Sequence, residues 1–371
     1  MKIVLVTGSD GFVGRNLVAH LQLDETIRLL RYDIDNTVQE LEKFLEQADF
    51  VFHLAGVNRP ENEKEFQTGN ADLTAKIVHA LQHTGKKTPI VISSSIQATK
   101  DNLYGRSKKM AEDALFAYAA QTGADVYVYR LPNLFGKWSR PNYNSVISTF
   151  CYNISHDLPI QINNPDYVLP LVYIDDVIAE FLSAMTGTVN RDENGYCFVS
   201  RTFEITLQEL ADLINSFRAS RDTFVLPDMN DTLTKFLYST YLSYFDEKGF
   251  SYFANMKTDD RGWLFELIKS PNIGQIFVSQ TKPGITRGGH YHHTKVEKFA
   301  VVQGRAVIRF RKIDGNDIIE YPVSCEKIEI VDIPPGYTHD ITNVGDNDVI
   351  TLFWACELFD PGNPDTYYLK V

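Results

Sequence analysis

The stretch Gly284–Gly304, GITRGGHYHHTKVEKFAVVQG, places three histidines and a glutamate within eight consecutive residues. His290 and His292 lie two positions apart, so in a β-strand both imidazoles project from the same face. His293 points to the opposite face in that arrangement, and Glu297 follows after a short turn. Imidazole and carboxylate groups gathered this closely are typical of a site that binds a metal ion.

A second cluster, residues 335–343 with the sequence PGYTHDITN, begins with a turn and leads into a strand that carries His339. It supplies one more imidazole, and three imidazoles with one carboxylate suit a borderline divalent metal such as zinc. The predicted metal ligands are His290, His292, Glu297 and His339. Two other interpretations stay open: a metal that only stabilises the fold, and histidines that belong to a solvated surface loop.

This spacing resembles the two motifs of the cupin superfamily. The first motif, Gly, five residues, His-x-His, three or four residues, Glu, six residues and Gly, is matched by Gly284, His290, His292, Glu297 and Gly304. The second, Pro-Gly, two residues, His, three residues and Asn, is matched by Pro335, Gly336, His339 and Asn343. The resemblance implies a jelly-roll β-barrel but no particular reaction, because cupins include isomerases, epimerases, dioxygenases and binding proteins.

The sequence around these motifs consists of short apolar runs separated by turns, a pattern typical of an all-β sandwich or barrel. The predicted strands are residues 275–280, 298–302, 306–311, 318–323, 328–333 and 349–354. Upstream of them, residues 259–266, DDRGWLFE, resemble the opening of the sugar-nucleotide epimerases within the cupins. This second resemblance narrows the expected chemistry to sugar nucleotides.

The whole chain has 371 residues, a length that suits two domains, and we place them at residues 1–245 and 246–371. A net charge of −12 argues against nucleic acid or an anionic membrane as the main partner, since both require basic surface. No apolar run is long enough for a membrane span, so membrane insertion is not expected. The four cysteines are scattered without framework spacing, which favours a reducing cytoplasm.

The N-terminal residues 2–7 form a strand-like apolar run, followed by a glycine loop, GSDGFVG at 8–14, and a helical pattern at 16–23. Strand, glycine loop and helix in this order bind a pyrophosphate, because the glycines allow close backbone approach and the helix presents its positive end. A glycine-rich turn without a ligand is the alternative. Further strands at 27–32 and 50–54 predict a Rossmann-like, doubly wound parallel sheet.

A fourth strand, residues 90–95, ends in three serines, and Tyr104 and Lys108 follow four positions apart. On a helix those two side chains share one face. An ammonium beside a phenol favours the phenolate and lowers the phenol pKa, which suits an acid/base catalyst. Taken alone, the YxxxK spacing also occurs by chance on helices.

Together these motifs resemble the extended short-chain dehydrogenase/reductase family, in its nucleotide-sugar branch, over roughly residues 1–240. Matching segments are HLAG at 53–56, RLPNLFG at 130–136 and LVYIDDV at 171–177. The resemblance implies that Tyr104 is the catalytic acid/base, Lys108 its partner, and Ser94 or Ser95 the orienting hydroxyl. It assigns cofactor binding to Gly8, Asp10, Gly11, Phe12, Val13, Gly14, Arg15, Asp33, Leu54, Ala55, Gly56, Tyr104 and Lys108, and substrate binding to Asn58, Arg59 and Asn133.

The choice between the two nicotinamide cofactors depends on three residues. Asp33 follows the second strand and favours the free ribose of NADH, whereas Arg15 and Arg31 can hold the 2′-phosphate of NADPH. We predict NADPH, because biosynthetic reductases usually draw on it.

A reductase and a sugar epimerase have one substrate feature in common, a ketone, which acidifies the neighbouring C–H and accepts the hydride. Epimerisation must come first, since reduction removes the ketone. The arrangement resembles the bifunctional nucleotide-sugar enzymes of capsular polysaccharide synthesis. That likeness implies a UDP-linked 4-keto-6-deoxy-N-acetylhexosamine, UDP-2-acetamido-2,6-dideoxy-4-hexulose. The cupin would invert C3, and the reductase would form the 6-deoxy-talose derivative, a precursor of UDP-N-acetyl-L-fucosamine.

Two alternatives remain for the cupin. It can bind sugar nucleotide or hold an oligomer together without catalysis, or it can be a redox enzyme such as an iron dioxygenase. The epimerase base is unassigned, because imidazoles occupied by a metal cannot also abstract a proton. Both parent families often form dimers, so we predict a homodimer.

Overall fold

The computed structural model describes residues 1–371, and the chain divides into two compact units. The first unit consists of residues Met1–Asn215 and Phe236–Phe245, and the second of Ser216–Lys235 and Asp246–Val371. None of the helices has both the length and the apolar composition needed to cross a membrane.

The centre of the first unit is a five-stranded parallel sheet with the order β2-β1-β3-β4-β5. Its strands are β1 Lys2–Thr7, β2 Ile27–Tyr32, β3 Phe50–His53, β4 Ile90–Ser95 and β5 Val126–Leu131. The helices of this part are α1 Phe12–Leu21, α2 Val38–Gln47, α3 Lys64–Phe66, α4 Leu73–His83 and α5 Leu103–Thr122, with a π-helical segment at Gln67–Asp72. Helix α1 begins four residues earlier than the sequence pattern predicted, because Gly11 of the glycine loop is already its N-cap.

Burial on both faces explains why the strands of this sheet are almost continuously apolar. Val4 and Val6 of β1 belong to the core on one face, together with residues of α1, and Leu5 belongs to the core on the other face, with residues of α2, α4 and α5. All three side chains are fully buried. This is the doubly wound architecture that the sequence predicted, and it is confirmed.

A smaller sheet of order β6-β7-β8 completes the strands of the first unit. Its strands are β6 Asn133–Phe135, β7 Val168–Tyr173 and β8 Phe203–Thr206. The remaining helices of the chain are α6 Val146–Ser155, α7 Ile174–Ala184, α8 Leu207–Thr223 and α9 Thr232–Leu242.

The second unit contains two antiparallel sheets, of orders β16-β13-β18-β11-β10-β9 and β15-β14-β17-β12-β19. The strands are β9 Lys257–Asp259, β10 Gly262–Ser270, β11 Gly274–Thr281, β12 Thr286–Tyr291, β13 Glu297–Gln303, β14 Arg305–Lys312, β15 Ile318–Ser324, β16 Ile330–Ile333, β17 Tyr337–Asn343, β18 Val349–Ala355 and β19 Tyr367–Tyr368. Alternating residues such as Phe299, Ile308 and Phe353 form one core from both sheets. The predicted all-β C-terminal fold is confirmed.

Candidate functional site

Three strand segments bring the four predicted metal ligands together in the second unit. His290 lies on β12 directly opposite His339 on β17, Glu297 is the first residue of β13, and His292 follows the end of β12. One ligand atom of each residue lies within 4.8 Å of those of the other three. The Nε2 atoms of His292 and His339 are 3.4 and 3.5 Å from Glu297 Oε2. His293 is exposed and does not join this group, which we call the His/Glu cluster.

The pairing of β12 with β17 is irregular next to His290. The register of the two strands shifts between Gly288 and His290, as at a β-bulge. Gly288 has a φ of +99°, and a Cβ atom there would lie 2.8 Å from the carbonyl oxygen of His339. A glycine is therefore required for β12 to approach β17 this closely.

The charges of the His/Glu cluster suit a divalent cation. Burial raises the pKa of Glu297, but the imidazoles of His292 and His339 outweigh that effect and lower its pKa to about 2. Burial, reinforced by His339, lowers the pKa of His290 to about 4. At neutral pH the cluster therefore offers a carboxylate and a neutral His290 imidazole, which are the protonation states that bind metals.

Several nitrogen atoms of the His/Glu cluster lack a hydrogen-bond partner. They are Nε2 of His292 and both ring nitrogens of His339, and all are buried. Leaving buried polar atoms unpaired costs about 1–3 kcal/mol each. A metal ion would satisfy the inward-facing lone pairs, so the donor set fits zinc or a similar ion. His290 is partly exposed, whereas His292, Glu297 and His339 are buried.

The candidate nucleotide site of the first unit is built where the glycine loop meets the end of β3. Gly8 has a φ of +69°, and a Cβ atom there would lie 2.6 Å from the backbone nitrogen of Ala55. A Cβ atom on Gly14 would lie 2.0 Å from the carbonyl oxygen of Gly8. The loop is therefore too tight for side chains at these two positions, and Leu54 is held beside it by a hydrogen bond from its backbone N–H to Thr7.

The other residues predicted to bind the cofactor lie around this loop. Phe12 and Val13 begin α1 and pack against the core. Asp33 accepts a hydrogen bond of 2.7 Å from the backbone N–H of Asp10, whose own carboxylate pairs with Arg31. Arg15 is exposed, with its guanidinium 5.2 Å from the ring centroid of Trp138. Two cationic side chains thus flank the glycine loop, while Asp33 is tied to the loop backbone.

Tyr104 and Lys108 share a face of α5, as their spacing predicted. Lys108 Nζ donates a hydrogen bond of 3.2 Å to the carbonyl of Ser93 and lies 6.0 Å from the ring centroid of Tyr104. Burial lowers the pKa of Lys108 to about 8, against an opposing effect of Glu112. Burial raises the pKa of Tyr104, and a hydrogen bond with Ser95 partly offsets the rise. The expected lowering of the phenol pKa by the ammonium is therefore absent, because burial dominates.

A glycine also allows Lys108 to approach the loop after β3. A Cβ atom on Gly56 would lie 3.0 Å from Lys108 Nζ and 2.8 Å from Asn70 Oδ1. Asn70 in turn holds the loop by accepting a hydrogen bond from the backbone of Val57 and donating one to its carbonyl, both of 2.9 Å. Sequence reasoning missed Asn70, whose role depends on contacts between segments distant in the chain.

The two candidate serines point to different partners. Ser94 donates a 2.5 Å hydrogen bond to Glu112, a fully buried carboxylate that also pairs with Arg130 at 2.6 Å. Ser95 instead interacts with Tyr104, which lowers the pKa of the phenol, and it caps the following turn. Of the two hydroxyls, only that of Ser95 adjoins the candidate acid/base.

The three predicted substrate-binding residues lie on exposed segments of the first unit. Asn58 and Arg59 follow β3, and the guanidinium of Arg59 donates to the backbone carbonyl of Tyr143. Asn133 begins β6 and donates a 3.1 Å hydrogen bond to the carbonyl of Pro170.

Comparison with known proteins places this geometry in a family. Residues 4–196 match the NAD dependent epimerase/dehydratase family, and residues 257–367 match the polysaccharide biosynthesis C-terminal domain. A UDP-2-acetamido-2,6-beta-L-arabino-hexul-4-ose reductase of Pseudomonas aeruginosa is 46% identical over 99% of this chain and 98% of its own length.

Solved structures agree with the sequence matches. The capsular polysaccharide assembling protein CapF of Staphylococcus aureus is 50% identical, with a TM-score of 0.93 over 100% of both chains. A UDP-glucuronic acid 4-epimerase of Bacillus cereus, solved with NAD, has a TM-score of 0.55 at 15% identity over 67% of this chain and 100% of its own, and supports the fold alone. The chain therefore belongs to the NAD dependent epimerase/dehydratase family, in the two-domain group that includes CapF.

Proposed function

We propose that the protein is a bifunctional nucleotide-sugar enzyme of surface polysaccharide biosynthesis. The second unit epimerises C3 of a UDP-2-acetamido-2,6-dideoxy-4-hexulose, and the first reduces the C4 ketone with NADPH. The product is UDP-2-acetamido-2,6-dideoxy-talose, a precursor of UDP-N-acetyl-L-fucosamine. One observation carries the proposal: the P. aeruginosa relative, matched along nearly the whole chain, is named as a reductase of a UDP-linked 4-hexulose.

The ketone requires the two reactions to occur in one order. A proton on C3 is acidic because the charge left by its removal is delocalised onto the C4 carbonyl oxygen. Reduction converts that carbonyl into an alcohol and ends the acidity. Epimerisation therefore precedes reduction.

Reduction requires a proton donor next to the carbonyl oxygen, and we assign that role to Tyr104. When bound, NADPH supplies the hydride that C4 accepts. The raised pKa of Tyr104 keeps its hydroxyl protonated at neutral pH, which is the form that can donate to the C4 oxygen. The resulting phenolate lies near the ammonium of Lys108, and Ser95 orients both the phenol and the carbonyl.

Epimerisation is assigned to the His/Glu cluster. His290, His292, Glu297 and His339 would hold the metal, and a bound divalent ion supplies a Lewis acid. The four side chains are all used as ligands in this arrangement, so the proton-abstracting group is a different residue, which is not assigned. Full retention of C3 proton exchange after removal of zinc would assign the metal a structural role.

NADPH is the expected cofactor because biosynthetic reductases usually draw on it, and two arginines near the glycine loop support this choice. Arg15 is exposed beside the glycine loop, Arg31 lies there paired with the carboxylate of Asp10, and Asp33 is bonded to the backbone of Asp10. Turnover measured with each reduced cofactor tests this choice. A strong preference for NADH would overturn it.

The assembly and location belong to the same proposal. We expect a homodimer in the cytoplasm, where nucleotide sugars and reduced cofactors are available. Light scattering that shows only monomer would contradict the dimer.

Proton NMR of the UDP-linked 4-keto sugar in D₂O tests both activities at once. With the protein alone, deuterium should enter at C3, and after addition of NADPH the ketone should disappear. Reduction without exchange would indicate a reductase joined to a non-catalytic cupin. Deuterium exchange at C3 without reduction of the ketone would contradict the assignment of ketone reduction to the first unit.

A further inference from the structure

The last residues of the chain contact β12 and β17, two of the three strands that carry the proposed metal ligands. We define residues 364–369 as the C-terminal strap. Within it, β19 pairs with β12, with Tyr368 opposite His290. The backbone N–H of Leu369 donates to Gly289 at 2.9 Å, and its carbonyl accepts from the hydroxyl of Thr338, next to His339. The strap is therefore bonded to the neighbours of two ligands.

Asp365 is the most highly connected residue of the strap. Its carboxylate accepts backbone hydrogen bonds from His293, Thr294 and Lys295 at 2.9, 2.9 and 2.8 Å, and a further bond of 3.0 Å from the Thr294 hydroxyl. Its φ of +39° lies in the left-handed region, which aspartate tolerates better than most residues. The side chain thus fixes the strap onto the turn between His292 and Glu297.

Lys295 fastens the strap on both sides of Asp365. It is 6% exposed, and its Nζ donates to the carbonyl of Pro364 at 2.7 Å and to the hydroxyl of Thr366 at 2.9 Å. A buried lysine used in this way restrains the backbone between its two acceptors. The carbonyl of Asp365 lies within that restrained segment.

That carbonyl contacts a metal ligand directly. Nδ1 of His292 lies 2.6 Å from the backbone oxygen of Asp365, so Nδ1 carries the proton and donates it. The lone pair of His292 is then on Nε2, which is buried, has no hydrogen-bond partner and lies 3.4 Å from Glu297. When the ring nitrogen that faces away from the metal donates a hydrogen bond, that bond selects the tautomer and the ring orientation of a metal-binding histidine.

We propose that Asp365 is a positioning residue of the metal centre. Its carboxylate holds the C-terminal strap in place so that its own carbonyl keeps His292 in the tautomer and orientation required for metal binding. The inference rests on the proposed metal site at the His/Glu cluster. It adds a contact from a residue 73 positions away in the chain.

Zinc affinity measured by chelator competition on the full-length protein tests the role. Asp365→Ala should weaken zinc binding by about 10-fold or more. This is the range typical of losing a hydrogen-bond partner that positions a metal-binding side chain. Asp365→Gly, which keeps the left-handed backbone accessible, should weaken it similarly if the carboxylate is responsible. Asp365→Asn retains an acceptor and tolerates this conformation, so it should restore part of the affinity.

The matched control is Asp360→Ala in the same C-terminal segment. The carboxylate of Asp360 accepts a hydrogen bond only within its own turn, from the backbone N–H of Gly362 at 2.8 Å. This variant should bind zinc like the unmodified protein. The visible spectrum of the cobalt-loaded protein supplies a second readout, since Asp365→Ala should change the ligand-field bands and Asp360→Ala should not.

Unchanged zinc affinity and an unchanged cobalt spectrum in both Asp365→Ala and Asp365→Gly would overturn the proposal, even if the melting temperature fell. Failure of the metal site itself has a different signature. In that case the unmodified protein would bind no stoichiometric zinc, or His339→Ala would bind it as tightly. If Asp365→Ala does not fold, Asp365→Asn and Asp365→Gly decide the outcome.

Discussion

The two candidate sites differ in how their buried polar groups are satisfied. In the first unit, Glu112 accepts hydrogen bonds from Ser94, Arg130 and Tyr196, and Lys108 donates to a backbone carbonyl. In the second unit, the His/Glu cluster contains buried ring nitrogens without any partner.

This difference indicates what each site requires. Partnered groups hold their geometry without a ligand, so the candidate site of the first unit is preorganised. Buried ring nitrogens without a partner are unfavourable until a cation binds their lone pairs. We therefore expect metal removal to impair the second site and to leave the first intact.

The variant with the largest expected effect disrupts the first site alone. Tyr104→Phe removes the proton donor, and the rate of NADPH-dependent ketone reduction should fall about 1,000-fold, within the range for a general acid. Deuterium exchange at C3 should continue at its normal rate, because it depends on the other unit. The measurement combines NADPH absorbance with proton NMR, and a loss of both activities would contradict independent sites.

The converse variant breaks the second site. Glu297→Gln keeps the shape of the side chain but removes the only negative charge of the His/Glu cluster, so zinc affinity should fall by more than about 100-fold, beyond the effect of outer contacts. C3 exchange should be lost, while reduction of a 4-keto sugar supplied already epimerised at C3 should persist. Circular dichroism checks the fold, and retained exchange with the metal absent would exclude the Lewis-acid role.

The fold and most of each site follow from local patterns. The convergence of the candidate metal ligands was predictable because strand periodicity and turn length set which residues meet, and the structure brings His290, His292, Glu297 and His339 together. The choice between Ser94 and Ser95 was not predictable. Both faces of β4 are covered, and the sequence does not show which face meets Tyr104.

Contacts between distant segments were also outside the reach of sequence reasoning. Asp365 has no motif, and its role depends on a hydrogen bond to His292 across 73 positions. The effect of Lys108 on Tyr104 was predicted as a lowered phenol pKa, but burial in the folded protein raises it instead. Spacing identifies which groups meet, whereas burial decides their protonation.

A pair of serine variants sharpens the comparison inside the first site. Ser95→Ala removes the hydroxyl next to Tyr104 and should lower the reduction rate about 100-fold, as for loss of one polar contact to a developing charge. Ser94→Ala instead leaves Glu112 short of one hydrogen bond and should lower the free energy of unfolding by about 1–3 kcal/mol with a small effect on rate. Kinetics and thermal melting of both variants separate the two roles. A large loss of rate in Ser94→Ala and a loss of stability alone in Ser95→Ala would reverse the assignment.

The smallest expected effect is on the pH profile of reduction. Lys108 is more than half cationic below its pKa of about 8, and it loses the charge that stabilises the Tyr104 phenolate as pH rises through that value. The reduction rate at saturating substrate should therefore decline a few-fold between about pH 7 and 9, where an ordinary lysine would stay charged. Glu112 opposes the lowering, so Glu112→Gln should move the decline to lower pH. C3 exchange by the same protein is the internal control, and a reduction rate that stayed flat to pH 10 would show that the charge of Lys108 does not limit the reaction.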